Sequence, residues 1–305
     1  MPRTVLVTGA YGFIGRHVAK RFAEAGWVVL GIGHGSWVKD EWQQWGISDW
    51  NESDITSNAL LTYAGSPEVI VHCAGSGSVG FSMEYPQQDF QRTVNTTVAV
   101  LDFVRQHASK ARVVYPSSAG VYGIVEKLPI QVSSSLVPIS PYGEHKKIAE
   151  EMCHSYSRYF GISVVIVRLF SVYGMGLRKQ LLWDACMKIS NGEKTFFGNG
   201  TETRDWLHVN DAAALILESG LIEAPECKII NGGSGHGVTV REILCELFEC
   251  FGREDTPQFT GAKRTGDPVN YIADIEGAEN LGWQPNISWR EGIREYVKWF
   301  RNGAQ

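Results

Sequence analysis

The chain of 305 residues is short of several things, and each shortage narrows its class. No apolar run approaches the roughly 18 residues that a membrane-spanning helix needs, so no membrane partner is expected. Positive charge is not in excess: Lys and Arg number 28 against 33 Asp and Glu, a formal net charge of −5. That gives no reason to expect nucleic acid or an acidic membrane as partner, and an anionic ligand would need a local basic site. Cysteine is sparse and scattered, the six (73, 153, 186, 227, 245, 250) forming no C-x-x-C pair. They read as reduced, buried thiols, and neither a disulfide frame nor a zinc or other metal site is expected. No signal-peptide pattern precedes the first apolar run, so the expected compartment is the cytoplasm. Internal repeats, low-complexity tracts and a Pro/Gly-rich linker are also missing. What remains, 44% hydrophobic and 20% charged residues, suits a folded chain with a sizeable core in one large or two small domains.

Apolar runs alternate with helical patterns. Residues 4–8, 27–31, 68–72, 112–115 and 163–168 read as strands. Residues 15–25, with Val18, Phe22 and Ala25 on one face, read as a helix closed by Gly26. Phe90, Val94, Val98, Leu101 and Val104 mark one face of a single long helix. Strands separated by such helices predict an α/β fold, parallel βαβ units with helices on both faces of a doubly wound sheet. After Arg168 the rhythm changes. Residues 171–205 are rich in Gly, Lys and aromatics, 228–231 read as a late strand, and 240–251 and 290–300 as amphipathic helices. The expected division is a nucleotide-binding domain over 1–170, to which 204–231 return. A smaller C-terminal α/β substrate-binding region would comprise 171–203 and 232–305, with a cleft between the two.

Gly9, Gly12 and Gly15 lie between the first strand and the first helix, in the stretch Gly9-Ala-Tyr11-Gly12-Phe13-Ile14-Gly15. Glycine allows close backbone approach, and a helix N-terminus offers free N–H groups to a phosphate, so a Rossmann-type dinucleotide site is predicted. The second strand ends in Gly33-His34-Gly35-Ser36, and no carboxylate appears before Asp40. An NAD site usually has an acidic residue there for the ribose. His34, Ser36 and Lys39 are instead donors that could face a 2′-phosphate, or the loop could ignore that position; both readings stand. Asp54 and Ile55 could frame the adenine. Tyr142 and Lys146 are four apart at the start of a helical run and share one face. A phenol beside an ammonium is a candidate proton shuttle, because a nearby cation favours the phenolate. With a nucleotide loop it suggests hydride chemistry. His72 and His208 sit in apolar strands and read as core histidines. Trp37, Trp42, Trp45 and Trp50 read as packing anchors or as a substrate platform.

The ordered set Thr8-Gly-Ala-Tyr-Gly-Phe-Ile-Gly15, His72-Cys-Ala-Gly75, Asn95, Ser117-Ser-Ala-Gly-Val-Tyr-Gly123, Tyr142-x-x-x-Lys146, Arg168-Leu-Phe-Ser-Val-Tyr-Gly174, Arg204-Asp-Trp-Leu-His-Val209, Gly266-Asp267 and Leu281-Gly-Trp-Gln-Pro285 spans nearly the whole chain. It resembles the extended short-chain dehydrogenase/reductase family, in its branch of NAD(P)-dependent nucleotide-sugar epimerases, dehydratases and reductases. The resemblance implies that Gly9, Gly12 and Gly15 cradle the pyrophosphate, that Asp54 and Ile55 sit at the adenine, and that Cys73, Ala74 and Gly75 line the cofactor. It makes Tyr142 the acid/base and Lys146 the ribose ligand that depresses the tyrosine pKa. Ser118 would bond the same sugar oxygen, with Ser117 as the alternative. Asn95 would position the lysine through water or cap its own helix. Arg204 and Arg264 would hold a substrate diphosphate, near Ser171, while Gln180, Leu181, Thr195 and Phe197 would enclose the base.

Two departures bear on the reaction. Ser117 is followed by Ser-Ala-Gly where 4,6-dehydratases carry an Asp-Glu pair, which argues against elimination of water. Ser171 stands where Asn is usual. The missing Asp-Glu pair, together with the missing acid of the second strand, favours an NADPH-dependent reductase of a nucleotide-linked 4-keto sugar, acting at C4, with NADP(H) the favoured cofactor and NAD(H) possible. The alternative is an NAD-dependent nucleotide-sugar 4-epimerase using the same residues. A non-catalytic nucleotide-sensing module is a third reading. The partner expected is a nucleotide-diphosphate sugar, and a homodimer would form through the helices around 95–104 and 147–159.

Overall fold

The computed structural model describes residues 2–262 and 270–303. Its strands are β1 (Thr4–Thr8), β2 (Val28–Gly33), β3 (Ile47–Glu52), β4 (Val69–His72), β5 (Arg112–Ser118), β6 (Val164–Leu169), β7 (Ser171–Tyr173), β8 (Thr195–Phe196), β9 (Thr203–His208), β10 (Lys228–Gly232), β11 (Gly237–Thr239) and β12 (Gln258–Phe259). Seven of them form a parallel sheet in the order β10-β6-β5-β4-β1-β2-β3. This is the doubly wound, Rossmann-type arrangement that the sequence predicted. The chain order reverses between β1 and β4, and a ligand crevice lies outside the carboxyl ends of the strands at such a point.

The apolar runs explain the sheet. Strands covered on both faces need apolar residues at every position. Val5 and Val7 pack with Val18 and Phe22 of the helix Phe13–Glu24 and with Leu215 and Ile216 of the helix Val209–Leu221. Leu6 between them points the other way, into a second core with Leu101 and Val104 of the helix Thr96–His107 and with Ala149 and Cys153 of the helix Pro141–Phe160.

β3 is absent from the sequence reading. It is an edge strand, Ile-Ser-Asp-Trp-Asn-Glu, with one buried residue, so no apolar run marks it. The single helix expected across 90–104 is interrupted. A π turn, Gln91–Asn95, separates a short helix, Pro86–Phe90, from Thr96–His107. The hydroxyls of Thr96 and Thr97 donate back to the carbonyls of Arg92 and Thr93, both at 2.6 Å, which competes with regular helical bonding. The six cysteines are free. Cys153 and Cys186 are buried as expected, whereas Cys245 is exposed.

Beyond β6 lie a sheet of order β11-β9-β7 and the pair β12-β8. They are held by a third core, shared by the helices Gln180–Ser190, Val240–Cys250 and Trp289–Arg301. Among the described residues no helix is long and apolar enough to cross a membrane, and no cluster of His, Cys, Asp and Glu could hold a metal ion.

Candidate active site

The glycine loop follows β1. Gly9 adopts φ +69, and its N–H donates to the Ile32 carbonyl at 2.6 Å. A Cβ on Gly9 would lie 2.6 Å from the Ala74 nitrogen, and one on Gly15 would run into the Gly9 carbonyl. The loop therefore seats directly on Cys73 and Ala74, which follow β4, and only glycine permits that approach. Thr8 ties the two together: its Oγ1 is 2.7 Å from His72 Nδ1 and accepts from the Ala74 N–H at 3.3 Å. Gly12 caps the helix Phe13–Glu24 without any side-chain cap. The first-turn N–H groups thus stay available to a phosphate, so the residues present fit a dinucleotide. Ile14 packs on the first core, and Phe13 reaches across to the third. Gly75 continues the β4 loop with φ +144.

At the end of β2 the donors expected to meet a 2′-phosphate are already engaged. His34 Nε2 lies 2.9 Å from the Asp54 carboxylate, and the Ser36 hydroxyl donates to both Glu52 oxygens at 3.1 and 3.2 Å. Two of the three donors named for a 2′-phosphate thus face carboxylates. Lys39 is exposed at the far end of the loop. Ile55 is 7% exposed, in the second core. Trp37, Trp45 and Tyr11 surround the Arg16 guanidinium, 5.0 to 5.3 Å from each ring, and Arg16 Nε donates to the Tyr11 and Gly12 carbonyls. Trp50 packs edge-on against Trp37. These tryptophans brace the glycine loop and do not form a substrate platform.

The helix Pro141–Phe160 starts as its sequence dictates. Ser140 caps it, accepting from the Gly143 N–H at 3.2 Å, and Pro141 takes the first position, where no N–H is needed. The Tyr142 N–H donates to the buried Ser82 hydroxyl at 3.0 Å. A Cβ on Gly143 would sit 2.5 Å from the Gly120 oxygen, so this helix start presses on the turn after β5. Ser118 caps that turn through the Gly120 N–H at 3.1 Å and shares a hydrogen bond with Tyr142. Ser117, on the other face of β5, donates to Glu150 at 2.6 Å. The geometry thus separates the serine pair: Ser118 meets Tyr142, and Ser117 belongs to a buried network behind it.

That network is saturated. Arg168 Nε and Nη2 bond both Glu150 oxygens at 2.8 to 3.2 Å, and Arg168 Nη1 donates to Tyr122, which donates to Asn231 at 2.6 Å. Lys146, 6% exposed, donates to the Pro116 carbonyl at 3.0 Å and lies 4.8 Å from the Tyr115 ring centre. Burial lowers its pKa to about 8. Burial also raises the Tyr142 pKa, opposed by the Ser118 bond. Burial is the larger of these two influences on the phenol. His72 and His208 are core histidines, pushed by burial to about 3 and about 4.

The substrate-side residues stand further out. Ser171 is half-buried on β7, whose neighbour β9 carries Arg204. Gln180 and Leu181 begin the helix Gln180–Ser190, with Gln180 held at φ +66, a conformation that costs a non-glycine residue energy and clusters at ligand sites. Thr195 and Phe197 lie exposed along β8 and its end. Arg264 lies outside the described residues. Asn95 ends the π turn, exposed and without a side-chain cap, so the capping reading does not hold. Groups missed from sequence include Ser82, Glu52, Glu150, and the pair of His145 with buried Asp89 at 2.6 Å. Glu150 was findable, since 142, 146 and 150 form one i, i+4 stripe.

Residues 5–221 match the NAD dependent epimerase/dehydratase family. A putative UDP-glucose 4-epimerase of Methanocaldococcus jannaschii is 29% identical to this chain, with 98% of each covered. The UDP-glucose 4-epimerase of Thermotoga maritima, solved with UDP-glucose, superposes with a TM-score of 0.88 at 26% identity, over 99% of this chain and 100% of that one. The UDP-glucuronic acid 4-epimerase of Bacillus cereus, solved with UDP-glucuronic acid and NAD, gives a TM-score of 0.87 at 25% identity, over 98% and 99%. With its motifs in order along a parallel seven-stranded sheet, the chain belongs to the NAD dependent epimerase/dehydratase family of enzymes.

Proposed function

We propose that the protein is an NAD-dependent 4-epimerase of a uridine diphosphate sugar. Likeness over the full chain to proteins named as 4-epimerases carries this reading. It displaces the reductase that the sequence favoured. That preference rested on the missing acid at β2 and the missing Asp-Glu pair; the second is equally compatible with an epimerase, and near the first His34 and Ser36 face carboxylates.

In this reading Gly9, Gly12, Gly15 and the first-turn N–H groups hold the pyrophosphate, Cys73 to Gly75 line the nicotinamide side, and Lys146 binds the ribose. When bound, NAD supplies the reversible hydride acceptor that inversion at C4 requires. Tyr142 in its phenolate form takes the proton of the C4 hydroxyl and returns it, and Ser118 bonds the same oxygen. Burial opposes loss of the phenol proton; the Ser118 bond favours it. Lys146, one turn along the same helix face, adds positive charge in the same low-dielectric space. Ser171 and Arg204 serve the diphosphate, and Gln180, Leu181, Thr195 and Phe197 the base. Such remote contacts hold the reacting carbon against Tyr142. The division into 1–170 with 204–231, and 171–203 with 232–305, and a homodimer through the helices Thr96–His107 and Pro141–Phe160, complete the proposal.

The test is incubation with UDP-glucose, UDP-N-acetylglucosamine and UDP-glucuronic acid, following C4 configuration by NMR and reduced cofactor by absorbance. Inversion of one of these sugars with no net cofactor turnover is expected. Stoichiometric NADPH oxidation by a 4-keto nucleotide sugar, without inversion of any, would overturn the reading.

A further inference from the structure

β2 ends without the carboxylate that usually receives the adenosine ribose. The packing explains why. A Cβ on Gly33 would lie 3.2 Å from the Gly9 Cα and 3.5 Å from the Trp50 ring, so the close fit of β2 against the glycine loop leaves little room for a side chain there.

We propose that Glu52, at the end of β3, supplies this carboxylate from the neighbouring strand and sets the preference of the site for NAD over NADP. The proposal rests on the NAD-dependent reading above. Glu52 is the register partner of Gly33, so the side chain that Gly33 lacks has its nearest substitute on Glu52. The Ser36 hydroxyl donates to both Glu52 oxygens and holds the carboxylate beside Gly33. Ser36 itself belongs to a loop folded onto the glycine motif: a Cβ on Gly35 would enter the Tyr11 ring, and the Trp37 ring meets Tyr11 edge-on at 4.8 Å. Glu52 thus stands on the rim of the groove whose floor is the phosphate-binding loop. An ionised carboxylate has about four lone-pair sites, and one serine hydroxyl leaves capacity for ribose hydroxyls. A 2′-phosphate would meet the charges of Glu52 and of Asp54 two residues on. Of the nearby cations, His34 faces Asp54 at 2.9 Å, Arg16 Nε is directed at the Tyr11 and Gly12 carbonyls, and Lys39 stands exposed at the far end of the loop.

The experiment is calorimetric titration of the full chain with NAD+ and with NADP+. Wild type is expected to bind NAD+ more tightly. Glu52→Gln keeps the shape and an acceptor for Ser36 but removes the charge. It should weaken NAD+ by about tenfold, the value of one charge-assisted hydrogen bond, and narrow the ratio between the two cofactors. Glu52 is exposed, so the fold should tolerate the change. Ser36→Ala should produce the same trend by about threefold, through a less ordered carboxylate. An unchanged NAD+ to NADP+ ratio in Glu52→Gln, with wild type still preferring NAD+, overturns the assignment alone. Wild type that prefers NADP+ overturns the assignment and the NAD-dependent reading together.

Discussion

Two carboxylates of the molecule, Glu150 and Glu52, are held in opposite ways. Glu150, behind Tyr142 and Lys146, is 2% exposed and takes hydrogen bonds from Ser117 and from two nitrogens of Arg168. Glu52, at the opposite side of the sheet, is exposed and held by Ser36 alone among the hydrogen bonds found. A buried charge must have its partners, and once saturated it has nothing left to offer a ligand. An exposed one with spare acceptor sites does. The buried carboxylate thus has its acceptor sites used up, and the exposed one keeps sites to spare.

The comparison can be broken from either end. The largest effect expected is at the catalytic end: Tyr142→Phe should lower kcat by about a thousandfold through loss of the proton-transfer group, with the melting temperature little changed. Undiminished turnover of a UDP sugar would remove Tyr142 from its role. Next, Glu150→Ala strands Arg168 in the core and should cost about 3 kcal/mol in urea unfolding. Under the same conditions Glu52→Ala should stay within about 0.5 kcal/mol. Equal losses would erase the contrast between the two ends.

The pH profile follows from Lys146. Its pKa in the folded chain is depressed to about 8, so the free enzyme loses this charge as pH rises through that value. An alkaline limb in kcat/KM, falling about tenfold per pH unit beyond it, is expected, and a flat profile to pH about 10 would contradict it. Stability should move the other way. Between the folded pKa and the unfolded value the unfolded chain binds more protons, so this group's contribution rises with pH there. The serine pair offers a finer test. Ser118→Ala should reduce kcat by about tenfold and, through its lost cap, stability by about 1 kcal/mol, whereas Ser117→Ala should cost about 1.5 kcal/mol with kcat little changed. The smallest effect belongs to His34→Ala, whose exposed pairing with Asp54 should be worth under about 0.5 kcal/mol by thermal unfolding.

Legibility in the sequence followed the same divide. The strands Val69–His72 and Val164–Leu169 are continuous apolar runs, so the central sheet could be read directly. Tyr142 and Lys146 stood out by their spacing only together with the ordered motifs around them. The choice between Ser117 and Ser118 could not be made, because alternation places them on opposite faces of β5 without saying which face the helix Pro141–Phe160 covers. The end of β2 was the least legible. β3 buries one residue and so left no apolar signal, and the missing acid after β2 was read as an invitation to phosphate. In the proposal above, the pairing of Gly33 with Glu52 puts the negative charge on the neighbouring strand.

The chain Ser117–Glu150–Arg168–Tyr122–Asn231 has one consequence for how the molecule is assembled. Its last member lies on β10, which enters the sheet beside β6 after residue 221, where the family match ends. Asn231 also donates to the Ile130 carbonyl, tying down the segment after the Ser118 turn. Every recognisable catalytic motif is therefore synthesised before the strand that locks them together. A nascent chain released at residue 221 should contain Tyr142, Lys146 and Ser118 and still lack an ordered active site. Near-ultraviolet circular dichroism of a 1–221 fragment would reveal native aromatic packing if that expectation is wrong.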